Sequence, residues 1–207
     1  MTEETLQKKK EIKQSFRLFM NGEASRSMRE KGIDYKINWG INIPDLRKMA
    51  HAYGKDYDLA IELWKDDVRE CKILATMIMP PEKMLPEIVD LWMEHTPSQE
   101  IAEMAAFNLY QHLDYAPLFA YQWIASDKPL ELICGFQLLA RLFMKGHEPD
   151  ERGINEFIDQ AQVALQNESM PVRHAASTSV VRFSELGETF RQVAQSAMES
   201  IGLNLQF

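Results

Sequence analysis

Runs of helical period recur along this chain and constrain its fold more than any other feature. In residues 68–79, Val68, Cys71, Leu74, Ala75 and Ile78 fall on one helical face. In 83–94 the face is Met84, Leu85, Ile88, Val89, Leu91 and Trp92. In 129–144 it is Leu132, Phe136, Leu139, Ala140 and Phe143, and in 170–185 it is Val172, Ala175, Ala176, Ser179, Val180 and Phe183. Prolines at 44, 86, 97, 117, 129 and 171 stand near the starts of such runs, where the N–H that proline lacks would have no partner. Thr96 and Asp127, each close before a proline, are candidate caps. Only Asp34–Ile43 alternates as a strand would, and it stands alone. The chain is expected to be all-α.

The runs pair. Leu63-Trp64, Leu91-Trp92, Trp123-Ile124 and Leu165 each close a helix, and a short polar turn leads into the next. These closures are spaced 28, 31 and 42 residues apart, within or near the range of two-helix repeats. Asp67-Val68-Arg69 and Pro171-Val172-Arg173-His174-Ala175-Ala176 resemble the second helix of HEAT repeats. The expected architecture is an armadillo-type α-α superhelix with a concave face. Its pairs fall at about 44–79, 83–112, 115–144 and 150–186, with a helical cap over 1–35 and a last helix over 188–202, in one domain.

Composition narrows the function. The 207 residues are 45% hydrophobic, enough for a core, and Gly and Pro are not enriched. No apolar run approaches the roughly 20 residues that span a bilayer, and Met1–Lys13 is polar, so a cytoplasmic protein without a membrane partner is expected. Cys71 and Cys134 read as reduced core thiols. The sequence holds no phosphate-binding glycine loop, no CxxC and no ligand spacing among its five histidines, so no metal and no cofactor are expected. Net charge is −8, but it is uneven. Residues 1–57 carry 12 basic and 8 acidic side chains, whereas 58–207 carry 11 and 23. The basic third reads either as a solvated helix face or as a phosphate-contacting patch.

One stretch is more specific. Trp39-Gly40-Ile41-Asn42-Ile43-Pro44-Asp45-Leu46-Arg47 is followed by Leu63-Trp64, then by Glu70, Lys72 and Leu74-Ala75. In order and interval this resembles the DNA alkylation repair family, alkylpurine DNA glycosylases built from HEAT-like repeats. The resemblance is good over about 36–80 and extends in helix periodicity to about 190. It implies DNA as partner and release of N-alkylated purines, with a carboxylate stabilising the cationic sugar. In the family that carboxylate is an Asp, four residues after a Trp, on a mid-chain helix. An Arg on the following repeat and a later Trp hold the DNA.

Carried over residue by residue, the resemblance puts Glu103 at the Asp position and Gln99 at the Trp position. The Arg position falls near Leu132-Ile133-Cys134 and the late Trp near Ser177-Thr178-Ser179. Glu103 is thus the candidate catalytic carboxylate, and from the residues alone it reads as an exposed helix carboxylate. Candidate DNA contacts are Arg47, Lys48, Arg69, Lys72, Gln99 and Lys128. The first four also read as salt-bridge partners. The expectation is a DNA-binding family member with weak or absent glycosylase activity. The alternatives are a solenoid that binds a protein partner, and an active glycosylase that uses Glu103.

Overall fold

Proline and cap chemistry start the helices much where periodicity puts them. A computed structural model describes residues 2–33 and 35–203, and among them are twelve α-helices. The chain divides into two compact units, residues 1–109 and 110–207.

The first unit holds α1 (Glu3–Phe19), α2 (Gly22–Glu30), α3 (Ile43–Tyr53), α4 (Tyr57–Trp64), α5 (Arg69–Ile78), α6 (Pro86–Glu94) and α7 (Gln99–Asn108). Asn42, Asp56 and Ser98 cap α3, α4 and α7 by accepting from backbone N–H groups three residues on. Ser98 therefore takes the capping role expected of Thr96, whose hydroxyl instead donates back to Trp92 O at 2.8 Å. Helix α5 is the centre of the unit. It packs on α3, α4 and α7, and all of its residues but Met77 are buried. Helix α1 lies on α4. In α6 the buried side chains are Val89, Trp92 and Met93, whereas Leu85 and Leu91 are 57% and 51% exposed. Those two leucines were expected on the core face. Pro86 starts the helix one residue after Leu85, and the face that Val89 and Trp92 define leaves Leu91 outside it.

The second unit holds α8 (Ala116–Ile124), α9 (Pro129–Met144), α10 (Glu151–Leu165), α11 (Met170–Ser184) and α12 (Glu188–Ser200). Helix α9 packs between α8 and α11, while α10 contacts α8, α11 and α12. Every residue expected on the inner faces of α9 and α11 is buried. Gly135 permits the close approach of α9 to α8, because a Cβ there would meet Trp123 Cβ and the Ile124 backbone N at 2.9 Å. Helix α9 begins after Lys128 with no side-chain cap, so Asp127 does not serve as one. Gly153 lies in the first turn of α10 and donates its N–H to Asp150 Oδ1.

Two further details differ from the pattern. The second helix of the pair expected over about 83–112 stops at Asn108, and a 3₁₀ turn covers Tyr110–His112. The strand-like stretch, apart from Asp34, which lies outside the described residues, makes a single parallel bridge between Ile37 and Val68. Residues 35–42 run as a strap across the start of α5. Among the described residues no helix is long and apolar enough to cross a membrane.

Candidate nucleic-acid interface

The strap is fastened by polar groups that the core of the first unit surrounds. Glu70, fully buried on α5, accepts from the Trp39 N–H at 3.2 Å and the Ile41 N–H at 3.3 Å. Arg69, 2% exposed, donates Nη1 to Ile41 O at 2.9 Å and to Glu70 Oε1 at 3.0 Å. Its Nε and Nη2 form a fork on Glu100 at 2.8 and 2.6 Å. Tyr35 donates its hydroxyl to the same Glu100 at 2.6 Å. The other side of the strap is closed by α2, where the Asn21 N–H donates to Trp39 O at 2.8 Å. Gly40 has φ 69°, and a Cβ there would overlap Asn21 O and press on Ser25 N at 2.9 Å. This gives the Trp-Gly-Ile and Glu-x-Lys motifs their physical content: they join the strap to α5.

Burial raises the carboxyl of Glu100, but hydrogen bonds from Arg69, its positive charge and the Tyr35 hydroxyl outweigh that and hold it below the usual carboxylate range. Burial, then the Glu100 carboxylate, pushes the Tyr35 hydroxyl up, so it stays a donor. A carboxyl lowered in the folded state stabilises the fold above its unfolded pKa of about 4.3, and that stability is lost as pH falls through the folded value. The urea midpoint of the wild type is expected to be flat above about pH 5 and to fall below it. Glu100→Gln is expected to lower the neutral-pH midpoint and shallow the acid fall. A parallel fall in both proteins would remove Glu100 from the account.

Within the first unit the candidate residues do not converge on one place. Arg69 and Lys72 are interior, contrary to the expectation of phosphate contact. Lys72 is 6% exposed, donates to Trp64 O at 2.8 Å and lies 4.5 Å from the centre of the Trp64 ring. Burial lowers its ammonium below the ordinary lysine value, against the charges of Asp67 and Asp66. The Trp64 ring in turn stacks on Trp92 at 4.1 Å. Arg47 is exposed on α3 beside His51 and Lys55, in a shallow cleft of about 330 Å³. Lys48 is exposed and paired with Asp45 at 2.9 Å. Lys128 sits in the second unit, paired with Glu131 at 2.8 Å.

Gln99 and Glu103 do share a site. Both are half-buried on α7, and Gln99 Nε2 donates to Glu103 Oε1 at 2.8 Å. They line a cleft of about 590 Å³ with Lys31, Ile33, Pro97 and Glu100. Its described lining contains no aromatic side chain.

A second cleft of about 460 Å³ lies between α1 and the strap. Ile37, Trp39 and Val68 contribute apolar surface to it, and Lys10, Lys13 and Arg17 come from α1. Lys13 and Lys9 are held at 2.8 and 2.9 Å by Asp66. Lys10 and Arg17 have no ion-pair partner among the described residues. The sequence marks this cluster only by a basic stripe at positions 10, 13 and 17 of one helix. Trp39, although part of the motif, gives no sign in the sequence that it opens onto that stripe.

An all-helical chain with paired, stacked helices and a basic cleft on its N-terminal unit defines a class of helical-repeat protein. The family model for DNA alkylation repair enzymes matches residues 12–180, and the chain belongs to that family. Two relatives, the uncharacterised proteins Lin0241 of Listeria innocua and Lmo0209 of Listeria monocytogenes, are each 24% identical over 169 residues, covering 79% of this chain and 72% of theirs. Among solved structures, one described as a new family of proteins related to the HEAT-like repeat DNA glycosylases, with affinity for branched DNA structures, superposes with a TM-score of 0.80 at 16% identity. That match covers 93% of this chain and 83% of the other. The fold is thus the HEAT-like repeat fold.

Proposed function

We propose that this protein binds DNA, prefers branched structures, and releases alkylated purines weakly or not at all. The observation that carries the reading is the cleft around Glu103. A flipped purine is held by stacking between aromatic or apolar side chains, and the described lining offers no aromatic, only Pro97, Ile33 and polar groups. Glu103 is also engaged by Gln99, the position to which the resemblance assigns the family's Trp. The family membership and the structural relative with affinity for branched DNA support the binding half. The exposed cations Arg47, Lys48 and Lys128, with Gln99 beside Glu103, are the proposed DNA contacts.

The test reads binding and chemistry in one sample. Methylated duplex is titrated to saturation by anisotropy, and released base is then measured. The expected result is saturation without release, and a Glu103→Gln variant with unchanged affinity. Release that disappears in Glu103→Gln would establish an active glycosylase. No binding at low salt would leave the protein-interaction reading.

A further inference from the structure

We propose that the cleft between α1 and the strap takes one unstacked nucleotide from the DNA branch, its base against Trp39 and its flanking phosphates on Lys10 and Arg17. This rests on the DNA-binding reading and names the feature of the DNA that is bound. The ligand is a strand with an unpaired nucleotide at the branch, such as a flap or a gap.

The charge balance points to phosphate. Asp66 and Glu62 offset Lys9 and Lys13, with Lys9 at 2.9 and 3.8 Å from the two acids and Lys13 at 2.8 Å from Asp66. Lys10 and Arg17 are left as the uncompensated cations of the rim, both exposed and two helical turns apart on α1. The apolar part points to a base. Trp39 is half-buried, with its ring tilted against Phe16 at 6.4 Å, and Ile37 beside it is 45% exposed. An apolar surface of this kind beneath unpaired cations fits a group that is flat, apolar and attached to negative charge. A base stacked inside a duplex cannot reach a recessed indole, whereas an unpaired one can. The site is also preorganised, since the Trp39 backbone is tied on both sides, to Glu70 and to Asn21. A cleft of about 460 Å³ lies within the roughly 300–1,000 Å³ that small-ligand sites occupy.

The experiment compares a three-armed junction carrying one unpaired 2-aminopurine at the branch with the same junction fully paired. Wild type is expected to bind the unpaired form about 5- to 150-fold more tightly, the range that one base–aromatic stack supplies. The 2-aminopurine fluorescence is expected to be quenched on binding. Trp39→Leu is expected to lose the preference and the quenching while still binding the paired junction, and Trp39→Phe is expected to keep both. Lys10→Gln with Arg17→Gln, both at the surface, is expected to reduce the slope of log K against log salt by about 1.5. Equal binding of the two junctions by wild type, or a preference that survives in Trp39→Leu, would overturn the proposal and leave the DNA-binding reading standing. Failure of wild type to bind either junction would overturn both.

Discussion

Glu70→Ala is expected to cost about 3–5 kcal/mol of stability, among the largest single effects in this protein. Its carboxylate is fully buried and accepts from two strap N–H groups and from Arg69. Removing it strands those donors and leaves the Arg69 guanidinium facing Glu100 alone. A midpoint shift on the order of 10 °C follows for the transition of the first unit. Arg69→Ala is expected to be at least as damaging, because it leaves two carboxylates without their cation. Glu100→Ala is expected to cost less, since Glu100 is 23% exposed and water can replace part of what Arg69 supplies. Circular-dichroism melts of the three variants give the ranking. A Glu70→Ala protein within about 1 kcal/mol of wild type would mean that the strap is not held by α5.

Gly40→Ala is expected to be nearly as severe, by a different route. The position has φ 69°, which an alanine adopts at a cost of about 1–3 kcal/mol. Its Cβ would also collide with the backbone at Asn21 and Ser25, at the start of α2, and backbone cannot yield as a flexible side chain can. Helix α2 must move, and the Asn21 N–H to Trp39 O bond goes with it. A loss of about 3 kcal/mol or more is expected in urea melts, with looser protection of the Trp39 and Ile41 amides in hydrogen exchange. Gly54→Ala tests positive-φ strain without collision, because φ there is 68° with ψ −162° and nothing lies within 4 Å of the Cβ position. Equal losses at the two glycines would remove the steric part of the argument.

Much of the fold was legible because it rests on periodicity. The inner faces of α5, α9 and α11 follow from apolar spacing, and the paired order follows from where those runs stop. Helix starts were less legible. Whether Thr96 or Ser98 caps α7 depends on backbone geometry that both residues could adopt, and one residue's shift at Pro86 turned two leucines outward.

The candidate site was legible in its motif and not in its roles. Arg69, Glu70 and Lys72 look like a charged surface, because a sequence records charge and not burial. Only the packing of α5 on α3, α4 and α7 turns them inward. Arg47, with the same charge, stays outside because α3 has a free face. The cleft at Trp39 needed a contact between segments more than twenty residues apart. The local pattern of α1 shows a basic stripe but not what lies beneath it.

The most direct measurement is the affinity for a four-way junction and for a linear duplex of equal length, each at about 50 and 200 mM salt. Tighter binding of the junction is expected at both concentrations, with a loss of about tenfold or more between them as phosphates exchange protein cations for salt. Equal affinity for the two DNAs, or binding that salt leaves unchanged, would contradict the proposed function.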